Sequence, residues 1–207
     1  MSVQEAYDHW SATYDTDENL TRDLDHTVTR EILADAQCKS ILEIGCGTGK
    51  NTALLTQIGD RVCAIDFSEG MLKRAKAKLG ADNVTFLVAD ITKPWPCADE
   101  AADLVVCNLV LEHIEDLSFV FSEAFRSLVE GGRFFVSELH PFRQYEGTKA
   151  RFQRDQETTE IQAFVHHISD FMETAEKAGL TIKGFREWWH EEDEEKPPRL
   201  VSFMFEK

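Results

Sequence analysis

Apolar positions along this chain follow two spacings in turn. Residues 3–14 place Val3, Ala6, Tyr7, Trp10 and Tyr14 at helical intervals, and Leu24, Val28, Ile32 and Ala36 repeat the pattern. The first 37 residues therefore predict two helices. Short, mainly apolar runs follow at 41–44, 62–65, 84–88, 104–107 and 134–136, each bounded by turn signals. Such runs suit strands buried on both faces of a parallel sheet. Helical patterns lie between most of them. Met71, Leu72, Ala75 and Leu79 form one. Leu117, Val120, Phe121, Ala124, Phe125 and Leu128 form another, with Asp116 as its N-cap and Gly131-Gly132 as its stop. Segment 92–101 holds two prolines and predicts at most a short crossover helix.

Beyond the fifth strand the pattern changes. Residues 140–158 read as an irregular insert. Ile161, Phe164, Val165, Ile168, Phe171, Met172 and Ala175 predict one long helix over 159–178. Residues 180–189 and 199–206 read as two strands. The link between them has no apolar face and ends in two prolines, so it cannot hold a crossover helix and the pair should be an antiparallel hairpin. The expectation is an α/β fold: a three-layer, Rossmann-like, seven-stranded sheet, mostly parallel, with an antiparallel C-terminal hairpin. A length of 207 residues suits one domain over 1–207. Helices in 1–37 would serve as a lid, and the 140–158 insert would complete the roof of the pocket.

Composition narrows the partners. Thirty-eight acidic against 22 basic residues give a formal charge of -16, which argues against a nucleic-acid partner. No apolar run is long enough to cross a bilayer, and the N-terminus carries no secretory signal. Five cysteines, none at C-x-x-C spacing, point away from a metal site or a disulfide framework and fit a reducing, cytoplasmic setting.

The chemistry starts at Ile41-Leu-Glu-Ile-Gly-Cys-Gly-Thr-Gly49, where an apolar run enters a turn with three glycines and a helix follows. That is the nucleotide-binding corner of an open α/β sheet. The spacing is G-x-G-x-G. Lys50 stands where a dinucleotide site wants its third glycine, and a phosphate-binding G-x-x-x-x-G-K-[ST] loop cannot be placed. Glu43, just before the turn, would repel a pyrophosphate and suits a cationic ligand; it can equally be a structural cap. Asp66, ending the second run, can accept from both hydroxyls of a ribose. Asp90, ending the third, can accept an adenine amino group while Phe67 and Ile91 cover the base; alone it would read as a turn residue.

Together these segments resemble the class I S-adenosylmethionine-dependent methyltransferases, in the branch of small single-domain enzymes. The matching residues are Leu42–Gly49, Ala64-Ile-Asp-Phe-Ser68 with Met71-Leu72, Val88-Ala-Asp90, Asp103–His113, Gly131–Val136 and the opening Trp10–Asp15. The resemblance implies S-adenosyl-L-methionine as cofactor. Glu43 and the Gly45, Gly47, Gly49 turn would border its methionine part, Asp66 its ribose, Asp90 with Ile91 its adenine, and Asn108 its amino group through the backbone. The family's base-methylating members carry an Asn/Asp-Pro-Pro-aromatic motif where this chain reads Asn108-Leu-Val-Leu. That departure and the acidity point to a small-molecule acceptor, and the protein would act as monomer or homodimer. Two other readings stay open: a nicotinamide-dependent oxidoreductase, opposed by Lys50 and the hairpin, and a non-catalytic S-adenosylmethionine-binding protein.

An activated methyl group needs alignment more than acid-base help. An amine, hydroxyl or thiol acceptor must still lose a proton. Candidates to take it are His140, Tyr14, His113 and Glu138. His140, after the fifth strand, can be the base or a hydrogen bonder behind it; His113 reads as structural or as a wall of the site; Tyr14 can order over the cofactor or simply pack on the core. Arg143, Lys149, Arg151 and Arg154 can form an anion pocket in the insert, or can pair with its acids in a solvated loop.

Overall fold

The computed structural model describes residues 1–154, 157–193 and 195–207. Seven strands form one sheet: β1 (Cys38–Ile44), β2 (Gly59–Asp66), β3 (Val84–Val88), β4 (Ala102–Asn108), β5 (Leu128–Leu139), β8 (Thr181–Trp188) and β9 (Leu200–Glu206). Their order is β3-β2-β1-β4-β5-β9-β8. The first five are parallel, and β9 runs antiparallel between β5 and β8. The sheet is therefore the expected one, with the last strand threaded inside its partner.

Strand periodicity explains the layers. Successive side chains point to opposite faces. Ile41, Leu104, Val106 and Phe135 enter the cluster that receives Leu24 and Val28 of α2 (Leu20–Ile32) and Leu55 of α3 (Thr52–Ile58). Their neighbours Leu42, Val105, Cys107 and Phe134 enter the other, which receives Val120 and Phe121 of α5 (Ser118–Ser127) and Phe171 of α7 (Ile168–Lys177). Both faces are covered, so the strands read as continuous apolar runs. Among the described residues no helix is long and apolar enough to cross a membrane.

Strand order reverses at β1 and β4, and there the carboxyl ends open a crevice. Helix α1 (Val3–Trp10) lies beside it, docked on α4 (Glu69–Lys78) through polar contacts. Asp8 Oδ1 accepts from Ser68 Oγ at 2.5 Å and from the Gly70 amide at 3.1 Å. Gln4 Nε2 donates to the Phe67 carbonyl at 2.7 Å. Asp15, beyond α1, accepts from Thr48 Oγ1 and pairs with Lys78. Asp8→Ala leaves the α4 N-terminus one acceptor short; the expected cost is about 1 kcal/mol, read as a lower Tm with faster amide exchange across Val3–Trp10.

As the two prolines of 92–101 suggest, no helix joins β3 to β4: Trp95, buried between Pro94 and Pro96, pins that strap by donating its amide to Glu123 Oε2 and its indole N–H to the Ile91 carbonyl. Other local expectations are corrected. Gly131-Gly132 does not stop α5. That helix ends at Ser127 and β5 begins at Leu128; Gly131, with φ +72°, lies in the register shift between the Ala102↔Leu128 and Leu104↔Arg133 pairs.

The long helix over 159–178 starts only at Ile168. Asp170 Oδ2 accepts the His167 amide at 2.8 Å and holds the start there. Ile161 turns instead into a cluster with Ala6, Trp10 and Phe152, while the Phe164 amide bonds the Glu112 carbonyl. The 140–158 insert is also more ordered than expected, with helix α6 (Pro141–Tyr145) and a two-stranded hairpin, β6 (Arg151–Arg154) with β7 (Glu157–Glu160).

Candidate active site

The glycine turn follows β1 directly. The Gly45 and Cys46 amides both donate to the Ile65 carbonyl of β2. Gly45, Gly47 and Gly49 have φ of +71°, +53° and +82°, in the left-handed region that favours glycine. Their surroundings differ. A Cβ on Gly47 would meet nothing within 4 Å, whereas one on Gly45 would lie 2.2 Å from Val110 Cγ2. Gly45→Ala is expected to cost about 2 kcal/mol and to lower the Tm of the ligand-free protein by about 5 °C. Gly49 does not line the cavity: it packs against Ala75 of α4 and Leu79 just beyond it, with Leu79 Cδ1 2.9 Å from where a Cβ would stand.

A cavity of about 310 Å³ opens beside this turn. Gly45, Gly47, Asp66, Phe67, Asp90, Ile91 and Asn108 all line it, so most of the expected binding residues converge. Asp66 caps two loops at once. Its Oδ2 accepts the Gly47 amide and its Oδ1 the Ser68 amide, each at 2.8 Å. Ser68 itself caps α4 by accepting the Met71 amide. Burial lifts the Asp66 carboxyl to about 6, against the pull of those amides. Asp90 is exposed, and its Oδ1 accepts from both the amide and the hydroxyl of Thr92, the local turn that Asp favours. Ile91 and Met71 supply buried apolar walls.

Under the turn lies a narrower space of about 60 Å³, which reaches Glu43 and Asp25. Glu43 is 3% exposed and accepts from Thr52 Oγ1 at 2.5 Å, a side-chain hydroxyl and not the backbone of the turn. Burial raises its carboxyl to about 8. Asp25 of α2 accepts from Asn51 Nδ2 and Asn108 Nδ2, each at 2.8 Å, and burial raises it as well. Asn108 thus spends its amide nitrogen tying β4 to α2. Arg22 and Lys50 are the cations in the wall of this space, and Lys50 pairs with Asp23; Arg22 has no carboxylate partner there among the described residues. It lies 4.0 Å from the Tyr14 ring centroid and donates to the Tyr14 and Asp17 carbonyls, while its Nε is buried with no acceptor among the described residues.

The loop after β4 is held from β5. Glu138 Oε1 accepts the Val110 and Leu111 amides at 2.9 Å each, and its Oε2 is buried without a partner among the described residues. Burial raises Glu138 to about 8. Between this clamp and the Ser137 carbonyl, Leu109 takes φ +56°, a strained value for leucine at the crevice mouth.

His140 is put to a different use from the expected one. It is 1% exposed and caps α6: Nδ1 accepts the Phe142 amide at 3.2 Å, which leaves Nε2 to donate to Glu187 at 2.9 Å. Both nitrogens are engaged away from the cavity it was expected to serve. Tyr14 does line the cavity, and burial pushes its hydroxyl to about 12. The basic cluster of the insert disperses: Arg143 turns inward to Asp193 at 2.8 Å, Lys149 faces Glu160 at 3.6 Å and Arg151 is exposed, while the Arg154 side chain lies outside the described residues. Tyr7, Arg22 and Asp25 were not singled out as site residues. Tyr7 sits in an apolar stripe, and α2 gives no local sign of facing the sheet's carboxyl edge.

Comparison with known proteins agrees with this geometry. A methyltransferase-domain family model matches residues 42–136. The chain is 30% identical over 138 residues to a malonyl-[acyl-carrier protein] O-methyltransferase of Hamiltonella defensa, covering 67% of this chain and 52% of that protein. It is 33% identical over 142 residues to a demethylmenaquinone methyltransferase of Clavibacter sepedonicus, covering 66% and 58%. The chain thus spans about half the length of these curated relatives. Two solved structures share the fold. An S-adenosylmethionine-dependent methyltransferase from Mesorhizobium loti aligns with TM-score 0.76 at 19% identity, over 91% of this chain and 100% of its own. The N-methyltransferase NodS from Bradyrhizobium japonicum, in complex with S-adenosyl-L-homocysteine, gives 0.75 at 19%, over 100% and 99%.

Proposed function

We propose that this chain, which belongs to the class I S-adenosylmethionine-dependent methyltransferase family, transfers a methyl group from S-adenosyl-L-methionine to a small-molecule acceptor. The observation that carries this is the joint lining of one cavity by the open Gly47 bend and the Asp66 and Asp90 carboxyls at the ends of adjacent strands. An adenosine offers its ribose hydroxyls and its amino group as donors and needs an apolar slot for its base, and this wall supplies both kinds of surface. A dinucleotide pyrophosphate would face Glu43, Asp25 and Asp66 instead.

The residues fit the donor in charge as well as shape. Asp66 would hold the ribose hydroxyls, Asp90 and Ile91 the adenine, and Phe67 and Met71 the walls. The Asn108 main chain and the glycine turn would take the methionine part. Arg22, whose Nε lacks an acceptor, would face the methionine carboxylate; Asp25 and Glu43 line the same space, and Glu43, protonated up to about 8 in the free protein, would ionise against the donor's positive charge. When bound, the donor supplies a methyl group on a positively charged sulfur: an acceptor lone pair bonds the methyl carbon, the carbon–sulfur bond breaks and its electron pair stays on sulfur. The chain's own work is alignment and exclusion of water. Helix α1 contributes Val3, Gln4 and Tyr7 to the cavity wall, which places it to cover the bound donor as a lid. A net charge of -16 supports a small acceptor over a nucleic acid. Transfer of tritium from methyl-labelled S-adenosylmethionine to one member of a metabolite panel is the expected result; tight donor binding with no transfer to any member would favour a non-catalytic binding protein.

A further inference from the structure

Two side chains in the cavity wall are joined in a way that methyl-donor binding does not require. The Tyr7 hydroxyl of α1 lies 2.8 Å from His113 Nε2, in the short 3₁₀ turn Leu111–His113 after β4. His113 Nδ1 lies 2.7 Å from the Gln162 carbonyl. A carbonyl only accepts, so Nδ1 carries the ring proton. In the neutral ring Nε2 is then a bare acceptor, and Tyr7 donates to it. Glu112, on the same turn, stands behind: its Oε1 is 3.8 Å from His113 Nε2, and its Oε2 is buried without a partner among the described residues.

The pair faces the cavity in which the donor and the acceptor would meet. Both rings line the main cavity, and Tyr7 is also in the wall of a second cavity of about 60 Å³. That second cavity reaches Glu112 and the Thr148–Ala150 stretch of the insert. Tyr7, Tyr14 and Leu109 separate the two.

We infer that Tyr7 and His113 form a proton relay that deprotonates the methyl acceptor, so that the acceptor is a hydroxyl, amine or thiol and not a group that already lacks a proton. This rests on the methyl-transfer reading above. As the acceptor gives up its proton, that proton passes to the Tyr7 oxygen while the Tyr7 proton passes to His113 Nε2. The Tyr7 phenol is restored, and the imidazole becomes imidazolium with Nδ1–H still on Gln162. One positive charge is lost at the donor's sulfur and one appears on the ring, so the net charge of the site is unchanged. Glu112 is the positioning residue that meets this new charge. Burial depresses His113, which keeps the free ring neutral and ready to accept. Burial also drives the Tyr7 hydroxyl upward, so Tyr7 acts as a carrier and never as a standing phenolate. The other titratable groups facing the pair are Tyr14, Asp66 on β2 and Glu138 on β5.

The first test needs no acceptor. In protein carrying ¹⁵N-labelled histidine and saturated with S-adenosylhomocysteine, His113 should be the neutral Nδ1–H tautomer at pH 7. An Nε2–H tautomer or an imidazolium at that pH overturns the relay. The second uses methyl-labelled donor with catechol, ethanolamine, 2-mercaptoethanol and acetate as probes. Transfer to one of the first three is expected; transfer to acetate alone, or to none by protein that binds S-adenosylhomocysteine, overturns the inference. With a methylated probe, Tyr7→Phe and His113→Asn should each lower kcat about a hundredfold, with S-adenosylhomocysteine affinity within twofold of wild type. Each should also abolish the acid limb of the kcat–pH profile. An unchanged profile in a folded variant counts against the relay. Failure of wild type to bind S-adenosylhomocysteine would instead sink the methyl-transfer reading.

Discussion

Asp66→Ala is expected to weaken S-adenosylhomocysteine binding at pH 7.5 by a factor of about one hundred to ten thousand, measured by calorimetry. The carboxyl already holds the Gly47 and Ser68 amides, so it is oriented before any ligand arrives. Two ribose hydroxyls donating to it would form charge-assisted bonds worth about 1.5–3 kcal/mol each, and the alanine variant loses both. It also strands two loop amides, which loosens the turn that borders the ligand. Asp66→Asn keeps one acceptor oxygen and should fall between wild type and alanine. Since burial raises Asp66 to about 6, wild-type affinity should weaken as the pH drops through that value, because the protonated acid accepts poorly. Equal affinities for wild type and alanine variant would remove Asp66 from the site.

The second large effect concerns stability. Glu43 and Glu138 are both lifted to about 8, first by burial. An acid whose folded value is raised holds its proton in the folded state over a range where the unfolded chain has lost it. The folded state then binds more protons, and stability falls as pH rises through that range. The stabilisation is complete below about 4.5 and is lost on passing 8. His113 and His140, both depressed, act in the opposite direction, but only below about 6.5. From pH 6.5 to 8.5 these two carboxyls dominate the slope, and Glu112, which burial lifts to about 7, adds a smaller loss of the same sign. At about 1.4 kcal/mol per unit of pH for each fully titrating group, the ligand-free protein should lose about 3 kcal/mol and about 5–10 °C of Tm over that interval. Glu43→Gln with Glu138→Gln should flatten the curve. A Tm that rises from pH 6.5 to 8.5 would contradict these assignments.

How far the sequence could be read follows from which interactions are local. The strands announced themselves because a sheet covered on both faces needs unbroken apolar runs, as at Ile41–Ile44 and Leu104–Cys107. The glycine turn was visible because its backbone angles exclude most other residues. The antiparallel end was legible from a negative: nothing between the last two strands could cross the sheet. The misreadings arose where distant contacts decided. Ile161 and Phe164 have helical spacing, yet one is claimed by the Trp10–Phe152 cluster and the other by the Glu112 carbonyl. His140 follows the right strand, but Phe142 and Glu187 engage both its nitrogens. Tyr7 looked like part of an apolar stripe, because its hydroxyl's partner lies 106 residues further along the chain. Gly49 looked like part of a ligand cradle; its absent side chain makes room for Leu79.

On the proposed function, the crevice at β1, β2 and β4 takes an adenosine joined to a cationic methyl donor. Titration of the purified, folded wild-type protein with S-adenosylmethionine, S-adenosylhomocysteine and NADH tests it most directly. Saturable one-to-one binding of the first two, with none of NADH, is the predicted result; uptake of NADH, or of none of the three, would contradict it.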